Sequence, residues 1–166
     1  MKNKAVKIYT DGAAKGNPGK AGWGAVFIIG NKIFEMGGGV EHATNNQMEL
    51  IAPIKALKYL TKITKGNPLE NPDLEIVSDS KYVILGITEW IFNWQKNNWR
   101  NANKKSILNR ELWEELYELT QKLTCPPMKR ELKWIYVKGH NGDRYNERAD
   151  LIATSFAEGE PIKLKK

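Results

Sequence analysis

The sequence of 166 residues contains a single cysteine, Cys125. No intrachain disulfide is possible, which excludes a disulfide-stapled secreted module and fits a reducing compartment. No stretch approaches the roughly 18 consecutive apolar residues that read as a membrane helix. Met1-Lys2-Asn3-Lys4 leads straight into a strand-like pattern, so no secretory leader and a cytoplasmic protein are expected. Internal repeats, low-complexity blocks and an interdomain linker are also missing. One unit is therefore expected over 1–166, with a core at about 5–158 and a frayed basic tail at 159–166. Acidic residues are the minority charge: 19 Asp+Glu stand against 26 Lys+Arg, a formal net charge of +7. Such a balance favours a polyanionic partner. Hydrophobic residues make up 41%, enough for a substantial core in a chain of this size.

The periodicities predict a mixed α/β architecture. Strands are expected at about 5–10, from Gly22 to Ile29 and from Lys32 to Glu41, joined by short links as an antiparallel meander. Gly37-Gly38-Gly39 marks a bulge or a close backbone approach. A helix capped by Thr44 or Asn45 runs to about Lys62, with Pro53 inside it and some kinking possible. A loop follows at 65–73, then a short strand from Leu74 to Val77. Helices are predicted at about 80–88, 90–96 and 107–123, the last broken by Pro126-Pro127. A fifth strand spans Leu132 to Val137, and a final helix about 144–158. Three antiparallel strands followed by two that alternate with helices give a five-stranded sheet with helices on both faces.

Four carboxylates sit in unusual contexts: Asp11 in Thr10-Asp11-Gly12, Glu49 in the run Thr44 to Leu50, Asp79 in Ser78-Asp79-Ser80, and Asp150 in Asn146 to Asp150. Asp11 and Asp79 end strand-like runs, while Glu49 and Asp150 lie on helices. Each alone has a bland reading: Asp11 as a turn residue, Asp79 as a helix cap, Glu49 as a surface residue. A carboxylate at the end of an apolar strand is costly to bury unpaired, and several converging would repel one another. A hard divalent cation removes both problems, since Mg²⁺ binds carboxylate oxygens and bridges to phosphates. The set therefore points to metal-dependent phosphoryl transfer.

The words Tyr9-Thr10-Asp11-Gly12, Gly16-Asn17-Pro18-Gly19, Thr44 to Leu50, Ser78-Asp79-Ser80, Gly86 to Trp90 and Val137-Lys138-Gly139-His140 resemble, in order, bacterial ribonuclease H type I. The resemblance runs from about residue 6 to about residue 155. It implies the ribonuclease H-like fold and an endonuclease that cuts the RNA strand of RNA–DNA hybrids, leaving 5′-phosphate and 3′-hydroxyl ends. It also implies two Mg²⁺ ions, with Mn²⁺ able to substitute. Asp11 would bridge both ions, Glu49 and Asp79 would hold the leaving-group side, and Asp150 the nucleophile side. His140, by local context an ordinary loop histidine, would assist proton movement and product departure.

For the substrate, the resemblance implies that Gly12, Asn17, Asn45 and Asn46 contact the RNA strand in the minor groove. Thr44 and Asn109 would hold a phosphate of the DNA strand. Asn is also a good turn and capping residue, and both roles are compatible. The segment from Trp90 to Lys105 interleaves aromatics with Lys96, Arg100, Lys104 and Lys105, which suits a nucleic-acid backbone. Its Trp90, and in part Trp99, are expected to pack into the core, leaving Trp94 with Tyr82 for the DNA-strand channel. Asn97-Asn98 stand where relatives often carry more Lys or Arg. Lys81 stands where Gln is common and adds a salt-sensitive phosphate contact. No obligate protein partner is indicated, and a monomer is expected.

Two other readings compete. A non-catalytic hybrid binder would gain nothing from clustered negative charge near phosphate. A DNA-strand-transfer enzyme on the same fold is disfavoured by Thr44-Asn45-Asn46 and by the basic segment.

Overall fold

β1 (Val6–Lys15), β2 (Gly19–Ile29) and β3 (Lys32–Ala43) form the antiparallel meander that alternation predicts, and β4 (Leu74–Ser78) and β5 (Leu132–Tyr136) add parallel strands. The spatial order is β3-β2-β1-β4-β5. This computed structural model describes residues 5–63, 72–126 and 130–166. Most of the loop expected at 65–73, and Pro127, lie outside the described residues. β1 to β4 outrun their expected ends, while β5 stops at Tyr136, one residue short of the expected Val137. β1 continues through Asp11 to Lys15, because Asp11 to Lys15 still pair with β2 residues Gly24 to Lys20. Asp11 is thus a mid-strand residue, neither strand-terminal nor a turn residue.

Strand alternation sorts the core onto two faces. Ile8, Ala25 and Phe27 pack with α1 (Asn45–Ile63) and α4 (Arg110–Thr124) on one side. Tyr9, Val26 and Val77 pack with α5 (Arg144–Ala157) on the other. The Thr44 hydroxyl accepts from the Gln47 N–H and the Gln47 side chain accepts from the Thr44 N–H, a capping box that starts α1. Pro53 lies within that helix, which runs on to Ile63. The helices expected at 80–88 and 90–96 are joined: α2 (Lys81–Leu85) passes through a π-helical turn (Gly86–Trp90) into α3 (Ile91–Lys96). Ser80, whose hydroxyl accepts from the Val83 N–H, caps α2, so Asp79 is released from the capping role.

Gly37-Gly38-Gly39 resolves as close approach. The triplet pairs in regular register with β2, and a Cβ on Gly37 would fall 2.6 Å from Ile152 and from Phe156 of α5. Gly22 and Gly24 do the same on β2, where a Cβ would sit 2.3 Å from the Ala153 carbonyl and 2.6 Å from that of Ala149. α5 therefore lies almost on the sheet backbone, which sets the depth of Asp150.

The tail is not frayed. Lys165 N–H donates to Glu35 Oε1 at 2.8 Å, and Glu35 N–H on the outer strand β3 donates to the Lys165 carbonyl at 2.7 Å. Ile162 and Leu164 pack on the α5-side core. Their alternation with Lys163 and Lys165 is a strand-like signal hidden by the lysines. Arg148 on α5 fastens the arrangement: it reaches Glu35 through two bonds, 2.6 and 2.9 Å, and the Lys163 carbonyl at 3.1 Å. Burial pushes the Glu35 carboxyl up, but Arg148 and the Lys165 N–H outweigh it, and the net shift is downward.

Arg148→Ala should leave that nearly buried carboxylate unpaired and cost about 3 kcal/mol, with part recovered in the Arg148→Ala/Glu35→Gln double variant. A depressed carboxylate pKa stabilises the fold above the unfolded value and loses that effect as pH falls. The gap between wild type and Arg148→Ala should therefore shrink in acid. Thermal unfolding of the three proteins across pH checks this, and equal stability of wild type and single variant would show that the clasp contributes nothing.

Candidate active site

Asp11 and Asp79 come together through parallel pairing. Thr10 lies opposite Ser78, so the residues that follow both emerge at the same level of the sheet. Glu49 arrives from the first turns of α1. Gly12 makes this possible, since a Cβ there would lie 2.4 Å from the Met48 carbonyl carbon and 2.5 Å from the Glu49 nitrogen. Ligand oxygens of Asp11, Glu49 and Asp79 all fall within 4.8 Å of one another. Asp150, half-buried on α5, stands within hydrogen-bonding reach of the Asp11 carboxyl but outside that tight group. Asp11 is 4% exposed and Glu49 8%. The surface reading of Glu49 is thereby overturned.

The electrostatics follow. Among the described residues no Lys or Arg forms an ion pair with any of the four. Burial, followed by the neighbouring carboxylates, pushes Asp11 far above the ordinary range. Burial also raises Glu49, although its hydrogen bond with Asp11 pulls the other way, and it raises Asp79. Glu49 Oε2 is buried without a hydrogen-bond partner. Two buried carboxylates and one half-buried, which cannot all ionise alone and one of which has an orphaned oxygen, are the donor set a hard divalent cation takes.

His140 sits at the rim of the cluster. It is exposed, has a positive φ of 55° in the loop after β5, and its charge acts on Asp79. Asn17 and Asn45 are joined, because Asn17 Oδ1 accepts the Asn45 backbone N–H at 3.0 Å. That bond ties the β1–β2 turn to the start of α1 and leaves the exposed Asn45 and Asn46 side chains free to face outward. Asn109 Nδ2 and Trp113 Nε1 both donate to the Tyr82 hydroxyl at 3.2 Å. Asn109 and Tyr82 thus form one unit, and among the described residues no hydrogen bond joins Asn109 to Thr44. Lys81 and Tyr136 are both exposed, with the Lys81 ammonium 5.5 Å from the ring centroid.

The aromatic assignment is partly reversed. Trp90, expected in the core, is 38% exposed; Trp99 is buried, and Trp94 is half-buried between Trp90, Trp99 and Trp113. The turn at Gly86–Trp90 offsets the helix phase that a continuous α-period assumes. Trp90 and Trp94 instead line a groove with Lys96, Arg100 and Lys104. Lys105 is exposed on the same loop. Arg100 also donates to the Lys104 carbonyl and so helps shape that loop.

Comparison with known proteins agrees with this geometry. Residues 3–158 match the RNase H sequence family. The chain belongs to the RNase H family. It is 43% identical to a ribonuclease H of Thermosynechococcus vestitus over 159 residues, covering 95% of this chain and 92% of that one. It is 46% identical to a ribonuclease H of Bradyrhizobium diazoefficiens over 148 residues, 89% of this chain and 86% of that one. The structure of RNase H1 from Halobacterium salinarum superposes with a TM-score of 0.64 at 27% identity, covering 93% and 98% of the two chains. Family membership and the buried acidic group together indicate dependence on a divalent metal.

One residue at the RNase H site went unremarked in sequence: Asn146, 2% exposed, with Nδ2 3.5 Å from Asp79 Oδ2. Its position one helical turn before Asp150 was the available signal, since residues i and i+4 share a helix face.

The raised Asp11 and Glu49 carboxyls bind protons more tightly folded than unfolded. Their effect on metal-free stability is therefore unfavourable and grows as pH rises above about 4. Asp11→Asn should raise the metal-free melting temperature, by little near pH 4 and by several degrees near pH 8. Thermal scans in chelator check it; a variant no more stable than wild type at pH 8 would show that the carboxylates do not strain the fold.

Proposed function

We propose that this chain is an endonuclease that hydrolyses the RNA strand of RNA–DNA hybrids, leaving 5′-phosphate and 3′-hydroxyl ends. The observation that carries the reading is the largely buried carboxylate cluster, without a Lys or Arg ion pair among the described residues, where the neighbouring inner strands β1 and β4 meet α1. Two Mg²⁺ ions, with Mn²⁺ able to substitute, suit the donor set: Asp11 would serve both, Glu49 and Asp79 would act on the leaving-group side, and Asp150 on the nucleophile side. Ions bound there supply the charge that eases water ionisation and stabilises a departing 3′-oxygen.

The chain's own groups do the rest. His140, exposed beside Asp79, is placed to carry a proton between the site and solvent. Gly12, Asn17, Asn45 and Asn46 present donors and acceptors able to detect a 2′-hydroxyl, which is what separates RNA from DNA. Thr44, Lys81, Tyr82, Trp94 and Asn109 would hold the DNA strand and its phosphates, and Lys96, Arg100, Lys104 and Lys105 the backbone further along. The exposed Trp90 belongs to the same surface. The reading takes 1–166 as one unit, acting as a monomer in the cytoplasm.

Labelled RNA–DNA hybrid, RNA duplex and DNA duplex, each incubated with and without Mg²⁺, test it. Metal-dependent cutting of the hybrid's RNA strand alone is expected; binding without cutting, or cutting of DNA, would overturn it. Asp11→Asn should abolish cleavage and leave hybrid binding intact or tighter. His140→Ala should slow turnover by about 10- to 100-fold. Equal losses in the two variants would make His140 structural or metal-binding.

Neutral Gln at Lys96, Lys104 and Lys105, with Arg100 kept for the loop, should weaken hybrid binding. It should also flatten the log–log salt slope by somewhat under one unit per lost phosphate contact. Binding is followed across a salt series in the Asp11→Asn background, and an unchanged slope would reduce the segment to a solvated face.

A further inference from the structure

Asn146 has an environment that its helix does not explain. Its backbone N–H is satisfied by the Asp143 side chain at 3.1 Å, so the cap of α5 makes no demand on its own side chain. Buried amide side chains are normally hydrogen-bonded at both ends. Here Nδ2 reaches only the Asp79 carboxylate, at 3.5 Å, and Oδ1 is buried with no partner at all. Leaving a buried amide oxygen unpaired is costly, which makes such an atom worth an explanation. Asn146 and Asp150 lie on the same face of α5, and Asp79 lies across from them. The orphaned oxygen therefore borders the carboxylate cluster, on the helix that also carries Asp150.

We propose that Asn146 is a positioning residue for hydrolysis, its amide N–H fixing the Asp79 carboxylate while Oδ1 accepts a hydrogen from the attacking water. The inference rests on the hydrolase reading above. Residue type fits both tasks: an amide offers a donor and an acceptor on one rigid plane. An Asp there would lose the donor and add another negative charge to a site already crowded with them. A Leu of similar volume would satisfy neither end. Asn146 neither gains nor loses a proton: the water keeps both hydrogens until one leaves toward solvent past His140.

Asn146→Ala and Asn146→Ser separate this role from simple packing. Alanine should lower kcat by about 10- to 100-fold, the scale of a misplaced reacting group, while KM for the hybrid stays within about twofold. It should also raise the Mg²⁺ concentration needed for half of the metal-induced rise in melting temperature by about threefold, a readout independent of activity. Serine, which can donate and accept, should recover part of kcat. The proposal is overturned by an alanine variant that keeps kcat within about threefold of wild type. It is equally overturned if kcat and KM change in step with a lower metal-free melting temperature, or if neither variant folds. Failure of the hydrolase reading looks different: wild type itself would leave the hybrid uncut in Mg²⁺, whatever Asn146 does to cation binding.

Discussion

Mutual repulsion among carboxylates held out of water is the constraint around which this fold is arranged. Asp11, Glu49 and Asp79 come from three elements, two of them strands in adjacent register, and none has a cationic partner among the described residues. Left to itself such a group would spread apart or exclude one member. What prevents that is backbone proximity. α1 lies against Gly12 and α5 against Gly22 and Gly24, at distances that any side chain would forbid. The helices cannot back away without opening the core that Ile8, Leu57 and Trp113 fill on one face and Ile152 on the other. The apolar packing thus maintains an electrostatically unfavourable cluster until cations offset it. Strain of this kind, kept in place by the surrounding structure, is common at functional sites.

The two faces of the sheet share that task unequally. The α1 face is broad and apolar, with Trp113 fully buried among helices. The α5 face is carried by one helix, and the chain reinforces it with a polar clasp. Arg148 ties α5 to Glu35 on β3 and to the tail backbone, two residues before Asp150 in the same helix. Its charges run opposite to those of the site: Glu35 is held ionised by its partner, while Asp11 is pushed toward its protonated form by its neighbours. Rising pH therefore supports one end of α5 and strains the other in the absence of metal.

Much of this was legible from residues alone. The five-stranded mixed sheet, its meander and the long helix after Thr44 followed from periodicity and capping, and the four carboxylates from their contexts. What was hidden has specific physical causes. Asp11 read as strand-terminal because Gly12 and the small residues after it weaken a strand pattern, although their partners on β2 are equally small and continue the pairing. The tail read as frayed because Ile162 and Leu164 are interleaved with lysines whose backbone groups make the hydrogen bonds. Trp90 read as buried because it was taken as the start of a separate amphipathic helix at about 90–96, whereas it ends a π-helical turn that joins that helix to the one before. Asn146 gave no compositional signal at all. Its role depends on which way an amide points, and only the fold decides that.

Two of these places bear directly on the site and its proposed substrate surface. The continued β1 puts Asp11 inside a ladder, where its carboxyl is fixed in direction and cannot swing away from Glu49. The π-helical turn changes the angle at which Trp90 and Trp94 face the groove beside Lys96 and Arg100. The left-handed backbone of Asn98, Trp99 and Lys104, with φ of 53°, 57° and 61°, shapes the loop that carries the basic groups. Non-glycine residues adopt that region at a cost, and they persist there when surrounding contacts hold them. Here Trp99 is held by its burial and by the Arg110 guanidinium 5.2 Å from its ring. The basic surface is therefore set by packing, and the lysines stand on a shaped loop instead of a free coil. A surface so fixed can present its charges to a duplex of one shape, which is how a protein with few base contacts would still prefer the geometry of a hybrid.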